Sequence, residues 1–92
     1  MTKLKESKQF EKDKKSILRT KAGESINLEL AVAIGHIISR EPIPENYLDH
    51  ALKGKEWKGT RELHVRGDIL LIYRIKKEVL ELVRIGTHSE LF

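Results

Sequence analysis

Three of the four histidines in this 92-residue sequence lie in its second half, each in a different segment. They are His50, His64 and His88. Imidazole, whose unperturbed pKa is about 6.5, is the side chain best suited to exchange a proton near neutral pH. With Arg84 and Asp68 in the same half of the chain, they suggest acid–base chemistry on an anionic substrate. Each histidine taken alone is more simply an ordinary surface or half-buried residue, so the hypothesis requires that they converge.

The composition limits the class of protein. A chain of this length buries only about 60–65% of its unfolded surface, and 39% hydrophobic residues suffice for one two-layer core, so we expect a single domain over residues 1–92. The absence of cysteine excludes disulfides and thiolate zinc sites. The apolar stretches are too short to cross a bilayer, and the first residues lack the apolar stretch of a signal peptide. We therefore expect a soluble cytoplasmic protein with no membrane attachment.

The chain is basic, with 18 Lys and Arg against 14 Asp and Glu, a formal charge of +4 and a pI near 9.4. Such a balance favours nucleic acid or an acidic protein as partner. One basic set, within residues 3–21, is equally well explained as a solvated helix face. The second set is interleaved with Trp57 and His64, which makes a nucleic-acid contact at least as probable there as a solvated surface. Its members are Lys53, Lys55, Lys58, Arg61 and Arg66.

Two helices are predicted in the first half. Ser7 is a suitable N-cap for the first, which Gly23 is expected to end. Glu24 or Ser25 would cap the second, and the prolines at positions 42 and 44 would end it. The apolar face of the first helix consists of Phe10, Ile17 and Leu18, and that of the second of Leu30, Ala31, Ile34, Ile37 and Ile38.

After residue 60 the hydrophobic period changes to two, which predicts an antiparallel meander of three strands. The strands cover 62–65, 69–75 and 79–85, with turns at Gly67 and at Lys76–Lys77. Residues 2–6 form a possible short strand, and 41–60 an ordered loop with a helical turn at 45–50. The expected fold class is α+β, a small antiparallel sheet with two N-terminal helices packed on one face.

The other face of this sheet is expected to be an open binding floor. Glu62 and His64 share that side because strand residues two apart point the same way. The turn at Gly67 would bring Asp68 back beside them. His50 would reach in from the loop, and the last strand and its exit would supply Arg84 and His88.

Four segments together resemble the YafQ-type branch of the RelE/ParE superfamily of bacterial type II toxins, which are ribosome-dependent mRNA interferases. The segments are residues 48–52 (LDHAL), 57–64 (WKGTRELH), 68–73 (DILLIY) and 84–92 (RIGTHSELF). Any one of them would be weak evidence, but their order and spacing together are specific. The resemblance covers nearly the whole chain. It implies a small twisted antiparallel sheet with two N-terminal helices, in agreement with the fold expected from the hydrophobic pattern.

The resemblance also implies roles for individual residues. The catalytic residues of the family match His50, His64, Asp68, Arg84 and His88, and its C-terminal aromatic residue matches Phe92. One departure is Glu62, which stands where this branch often has Asp. The longer carboxylate is able to orient a histidine, but a direct role for it is in doubt.

Toxins of this branch cleave mRNA by attack of the substrate's own 2′-hydroxyl on the adjacent phosphorus. That step needs a base, an acid and cations, and each proton transfer helps by about 10²–10⁴-fold. We assign His50 and His88 as the proton-transfer pair and Arg84 as a fork on the phosphate. His64 participates or positions the pair. Asp68 either fixes a histidine tautomer or is itself the base.

RNA-binding roles are expected for five residues outside the catalytic set. Trp57 and Phe92 would stack exposed bases, as aromatic side chains commonly do with single-stranded RNA. An anchor of the loop on the core explains Trp57 equally well. Phosphate contacts are expected from Lys53, Lys55 and Arg61.

Three histidines and an aspartate also suggest a zinc site. No histidine pair has the spacing of a zinc motif, however, and Arg84 would repel a divalent cation, so we expect neither a metal nor another cofactor. By resemblance the partners are mRNA, the 70S ribosome and a cognate acidic antitoxin, whose complex with the toxin would bind operator DNA.

Two alternatives remain at the level of sequence. One is a ParE-like toxin that inhibits gyrase and cuts nothing, which would have no need for converging histidines. The other is a noncatalytic RNA-binding relative of these toxins.

Overall fold

A computed structural model of the chain describes residues 2–92. In chain order its elements are β1 (Lys3–Glu6), α1 (Lys8–Leu18), α2 (Gly23–Ile38), β2 (His50–Ala51), β3 (Arg61–Arg66), β4 (Ile69–Lys76), β5 (Val79–Thr87) and α3 (His88–Leu91). Short 3-10 turns occur at Glu45–Tyr47 and Lys55–Trp57.

Over the described residues the strands form one sheet in the order β1-β5-β4-β3-β2. Strands β3, β4 and β5 are the predicted antiparallel meander, and β2 extends it on one side. On the other side β1 pairs with β5 in parallel, so the sheet is mixed rather than wholly antiparallel. The predicted α+β class is confirmed. Strand β1 precedes both long helices and β5 ends the meander, so the two parallel strands come from opposite ends of the chain.

Helix α1 begins as predicted at Ser7, whose hydroxyl accepts the Phe10 N–H at 3.0 Å and donates to the Val83 carbonyl at 2.7 Å. The expectation that Gly23 ends this helix is wrong. Helix α1 ends at Leu18, and Gly23 is the first residue of α2. A Cβ on Gly23 would lie 2.8 Å from the Leu18 backbone, so only glycine permits this tight turn between the helices.

The start of α2 also differs from expectation. Its N-cap is Ala22, which makes no side-chain capping hydrogen bond, so neither Glu24 nor Ser25 is the cap. The Ser25 hydroxyl instead donates to the Ala22 carbonyl at 3.1 Å. The preceding turn is closed by backbone hydrogen bonds, including one from the Gly23 N–H to the Thr20 carbonyl at 3.1 Å. The turn, rather than a capping side chain, therefore sets the first residue of α2.

The main core lies between the two long helices and one face of the sheet. The helices contribute Phe10, Leu30, Ala33 and Ile37, and the strands contribute Leu63, Val65, Leu71, Tyr73, Leu80, Leu82 and Ile85. The predicted apolar faces are only partly correct. Leu18 and Ile38 are exposed, whereas Ile26 and Ala33 are buried.

The opposite face of the sheet is less open than expected. Leu70 and Ile72 are fully buried there under Leu91 of α3, with Leu52, Trp57 and Val83 packed around them. The loop after β2 and the last helix thus cover its centre with a second, smaller apolar cluster. No helix in the described part of the chain is long and apolar enough to span a membrane.

Candidate functional site

Two cross-strand rows fix the positions of the candidate residues on the sheet. In one row, His50 on β2 pairs with Glu62, which pairs with Ile72, which pairs with Arg84 on β5. In the next row, His64 pairs with Leu70, which pairs with Gly86, two residues before His88. Neighbouring strands are about 4.8 Å apart, which places the backbones of His50 and Arg84 about 14 Å apart. The candidate site therefore has two sides, separated by the smaller apolar cluster.

His50 is held by hydrogen-bond acceptors at both ring nitrogens. Its Nδ1 lies 2.8 Å from the Leu48 carbonyl, and its Nε2 lies 2.9 Å from a Glu62 carboxylate oxygen. A carbonyl only accepts, so Nδ1 carries a proton. The Glu62 carboxylate at Nε2 completes the support, so the ring is held on both sides before a substrate binds.

Glu62 is the buried member of this pair. The residue is 6% exposed, whereas the His50 side chain is 53% exposed. The second carboxylate oxygen of Glu62 is buried and has no hydrogen-bond partner among the described residues. Burying a carboxylate that has one unsatisfied oxygen costs free energy. The contact with His50 offsets part of that cost. Sequence reasoning left the role of Glu62 in doubt, and the structure places it against a candidate catalytic ring.

Asp49 anchors the strand that carries His50. It points to the helix-covered face, where the Tyr73 hydroxyl donates to it and the Arg61 guanidinium binds it at 3.2 Å (Nε) and 2.7 Å (Nη2). Burial and the hydrogen bond to Asp49 together raise the pKa of Tyr73. The hydrogen bond to Asp49 raises the pKa of Arg61. Adjacent residues thus serve opposite faces of the sheet, Asp49 as an anchor and His50 as part of the candidate site.

This anchor bears on the RNA-binding role expected of Arg61. The Arg61 side chain leaves β3 on the opposite face from Glu62 and His64, and its guanidinium is already bound by a carboxylate. Lys53 and Lys55 are both exposed in the loop that follows β2. Those two lysines are therefore better placed than Arg61 to meet a phosphate near His50.

His64 and Asp68 lie close together in the chain but do not bind each other. The Nδ1 of His64 donates to the Gly67 carbonyl at 3.0 Å, which leaves Nε2 facing outward. Asp68 is exposed in the turn between β3 and β4, and it makes no hydrogen bond or ion pair with the other described residues. The backbone of the turn, rather than Asp68, fixes the orientation of His64.

Arg84 is held by Asp13, a residue of α1 that sequence reasoning missed. Its Nε and Nη2 donate to the carboxylate at 3.1 and 3.0 Å, and the backbone N–H of Ile85 donates to it at 3.2 Å. Burial alone would raise the pKa of Asp13, but the hydrogen bonds from Arg84, Gln9 and Ile85 outweigh it and lower that pKa. The same pairing raises the pKa of Arg84.

Three aromatic rings connect the two sides of the site. The centroids of His88 and Phe92 are 5.0 Å apart, and those of Phe92 and Trp57 are 5.3 Å apart with the rings edge to face. Thr87 caps α3 through a capping box with Glu90, and buried Leu91 fixes the helix to the sheet. Phe92 is 49% exposed. His88 is exposed, and within residues 2–92 its ring makes no hydrogen bond, so both nitrogens are available to a substrate.

The anchoring role expected of Trp57 is seen in the structure, whereas its stacking on RNA bases stays a prediction. Trp57 packs on Leu70 and Ile72 as an anchor of its loop, and its edge contacts Phe92 on the other side of the site. Of the anchoring residues that were missed, Asp49 stands beside His50 in a recognisable segment. Asp13 lies 71 residues from Arg84 in a lysine-rich helix, where nothing in the sequence distinguishes it from a solvated carboxylate.

The zinc alternative has no cluster to support it in the described part of the chain. Nowhere in residues 2–92 do three or more His, Cys, Asp or Glu side chains gather as a metal site would require.

Comparisons with known proteins agree on one family. Residues 2–92 match the family described as the bacterial toxin of a type II toxin-antitoxin system, YafQ. The chain is 38% identical over 86 residues to the mRNA interferase toxin YafQ of Escherichia coli strain B / BL21-DE3, covering 94% of this chain and 90% of that protein.

Solved structures give the same result. The copper-bound form of a mutant toxin from Helicobacter pylori superposes with a TM-score of 0.86 at 41% identity, with all of both chains covered. A chain of the E. coli DinJ–YafQ complex superposes with a TM-score of 0.83 at 34% identity, covering 100% of this chain and 99% of that one.

Proposed function

Because the chain belongs to the YafQ family of bacterial type II toxins, we propose that it is an mRNA interferase, an endoribonuclease that cuts mRNA on the ribosome. The observation that carries this proposal is the arrangement of histidines around the smaller apolar cluster. His50 and His64 border it on one side and His88 on the other, with Arg84 in the same row as His50.

The proposed reaction is attack of the 2′-oxygen of the RNA on the adjacent phosphorus, which releases the 5′-oxygen of the next nucleotide. His50 and His88 transfer the two protons, one from the attacking oxygen and one to the leaving oxygen. Arg84 stabilises the charge that gathers on the phosphoryl oxygens, a contribution of about 10²–10³-fold for one well-placed donor. The products are a 2′,3′-cyclic phosphate and a free 5′-hydroxyl.

The two proton-transfer groups start from different states. His88 has both ring nitrogens free within the described structure, so it can bind the substrate directly. His50 must exchange its Nε2 contact with Glu62 for one with the substrate, and Glu62 holds it ready for that exchange. His64 presents an Nε2 that accepts a proton or a hydrogen bond, while Asp68 is free in its turn to contact the substrate.

RNA binding is assigned to the rings and to the exposed cations around them. Phe92 offers a half-exposed face for a base, and Trp57 supports that face from behind. Lys53 and Lys55 lie on the same loop as Trp57 and would contact phosphates, with the strong salt dependence that such contacts have. Arg61 contributes to the site through the Asp49 anchor.

The proposed partners are mRNA, the 70S ribosome and a cognate antitoxin. An E. coli relative forms the DinJ–YafQ complex, which supports an antitoxin for this chain too. The antitoxin would be acidic, since it must mask a protein with a charge of +4, and the complex would bind operator DNA. A toxin that acts on translating ribosomes works in the cytoplasm. The reaction needs no metal, so a chelator should leave cleavage unchanged.

The test is to induce the chain in growing cells and to map mRNA 5′ ends, with a His88→Ala variant beside it. We expect new in-frame ends in coding regions, reduced by at least about 10²-fold in the variant because a proton-transfer group is lost. His88 is exposed at the start of α3, so the variant should remain folded, which circular dichroism checks.

The same experiment separates the alternatives. Growth arrest with intact mRNA, unchanged by His88→Ala, would favour a gyrase inhibitor of the ParE kind. Ribosome binding without any cleavage by the wild-type chain would indicate a noncatalytic relative. Either result would end the interferase proposal.

A further inference from the structure

The edge of β5 changes partner halfway along. Its first half pairs with β1 up to Glu6, and beyond that point α1 runs beside it. Two side chains, from the N-cap and the middle of α1, then take over backbone hydrogen bonds of the strand. Ser7 donates to the Val83 carbonyl, and Asp13 accepts from the Ile85 N–H. The carboxylate of Asp13 is thereby fixed to the backbone of the residue that follows its partner, Arg84.

The geometry of the pair leaves part of Arg84 available. A guanidinium has five N–H donors, and Asp13 takes one on Nε and one on Nη2. The two donors on Nη1 and the second donor on Nη2 point away from the carboxylate. These three donors are the ones that would bind a phosphate end-on. The Arg84 side chain is 27% exposed and that of Asp13 is 10% exposed, so the arginine is the more accessible member of the pair.

We infer that Asp13 is a positioning residue, one that holds the Arg84 guanidinium in the orientation in which its free edge meets the scissile phosphate. This inference rests on the proposed function, because it assigns a support to a group of that site. An arginine side chain has several freely rotating bonds, and fixing them before the substrate arrives removes an entropy cost from the reaction. Asp13 does not touch the substrate.

The alternative is that Asp13 inhibits Arg84, and this role predicts the reverse effect on the cleavage rate. If Asp13 sequestered Arg84 from the substrate, removing its charge would release the guanidinium and speed cleavage. The backbone N–H of Ile85 holds the carboxylate in place, and opening the pair would break both of its hydrogen bonds to Arg84, which argues against release.

The experiment compares Asp13→Asn with the wild-type chain in cleavage of mRNA on programmed ribosomes. We expect the rate at saturating ribosome to fall about tenfold, since misplaced groups of this kind cost up to about 10²-fold. Affinity for the ribosome, measured in a His88→Ala background, should not change. Asp13→Glu, which restores the charge at a shifted position, should give an intermediate rate.

Glu29→Gln is the matched control. Glu29 on α2 binds Arg66 on β3 with the same two-point geometry, at 2.9 and 2.6 Å, but Arg66 has no part in the proposed reaction. The cleavage rate of Glu29→Gln should equal that of the wild type. An equal loss in Glu29→Gln and Asp13→Asn would mean that both ion pairs act only through stability, and the inference would fall.

Arg84→Ala completes a double-mutant cycle. The inference requires that adding Asp13→Asn to Arg84→Ala causes no further loss, because Asp13 acts only through that arginine. A wild-type rate, or a faster one, in Asp13→Asn would overturn it. So would a wild-type rate in Arg84→Ala, although cleavage that depends on His88 would then still stand.

A measurement without cleavage keeps the inference testable if the proposed function fails. The Nε–H group of Arg84 should give an ordered signal by ¹⁵N relaxation in the wild-type chain and a mobile one in Asp13→Asn. A mobile signal in the wild type would contradict the inference whatever the chain cleaves.

Discussion

The two sides of the candidate site are held in opposite ways. On the β2–β3 side the histidines are fixed, His50 by Leu48 and Glu62 and His64 by the backbone of its turn. On the β5–α3 side the histidine is free and the arginine is fixed, since His88 contacts only a ring in the described structure while Arg84 is bound by Asp13. One side holds imidazole rings through hydrogen-bond acceptors, and the other holds a positive charge in place.

This difference shows how a chain of 92 residues builds a site with so small a core. Each side needs a carboxylate to hold its key group, and each carboxylate comes from a different kind of position. Glu62 lies on the sheet itself, buried beside the apolar cluster. Asp13 lies on α1, outside the sheet. The helix therefore has two functions, covering the main core and supporting one side of the site.

The largest effect on the cleavage rate should come from Glu62→Gln, which tests how the β2–β3 side holds His50. The amide removes the negative charge that contacts the His50 ring, so the ring is held less firmly in place. We expect the cleavage rate at saturating ribosome to fall by about 10- to 100-fold. Cleavage of a defined mRNA on programmed ribosomes, at saturating ribosome, measures this rate.

Glu81→Gln serves as its control. Glu81 pairs with Arg74 on the same face of the sheet, in the row next to that of Ile72 and Arg84, and in the described structure its carboxylate binds no candidate catalytic residue. The cleavage rate of Glu81→Gln should match the wild type. If Glu62→Gln did so too, the contact at Nε2 would be incidental, and the two sides would not differ in the way described.

The sequence contained most of the fold. The change of hydrophobic period from 3.6 to two located the helices and the meander, because each pattern exposes a different spacing to the core. It could not show that β1 joins the sheet in parallel, since four residues carry little periodicity. The position of Gly23 was misread for a related reason. Its role depends on a close approach to Leu18 that only the packed helices create.

The candidate catalytic residues could be listed from the sequence, but the residues that hold them in position could not. Histidines can be recognised by residue type, and the turn at Gly67 was located correctly. The anchoring carboxylates could not be recognised, because a surface carboxylate and a positioning carboxylate look alike in sequence. Asp13 becomes distinct only when α1 is laid against β5. The cluster of Leu70, Ile72 and Leu91 was missed since α3 is only four residues long.

A smaller effect is expected from Phe92→Ala, which tests the ring contacts between the two sides. Stacking of a base on an aromatic ring is worth about 1–3 kcal/mol, and a half-exposed ring should lie near the lower end. That corresponds to an affinity for the mRNA-programmed ribosome that is weaker by about fivefold. The rate at saturation should change little, because Phe92 moves no proton.

Phe92→Leu separates stacking from apolar bulk. Leucine fills much of the same volume against Trp57 but offers no ring face, so it should behave like alanine. Wild-type affinity in this variant would show that Phe92 acts as packing only. A fall in the saturated rate in Phe92→Ala would instead mean that the ring orients His88, which would make the two sides more alike than proposed.

The smallest effect concerns stability in acid, where the support on the β5–α3 side should weaken. Hydrogen bonds from Arg84, Gln9 and Ile85 outweigh burial and lower the pKa of Asp13 below its ordinary 3.8. The folded state therefore binds this proton less readily than the unfolded state. The stabilisation is complete above about pH 4 and is lost as the pH falls through the lowered value.

Urea unfolding of the wild type and Asp13→Asn at pH 7, 5, 4 and 3 tests this (roughly the range over which carboxylates titrate). The wild type should be more stable at pH 7 and 5, and the gap should narrow at pH 4 and below. In Glu29→Gln the gap should be smaller at every pH, because that ion pair is exposed and screened by solvent. A gap for Asp13→Asn that stays constant down to pH 3 would mean that the carboxylate contributes through shape rather than charge, and Arg84 would then be no more firmly held than His88.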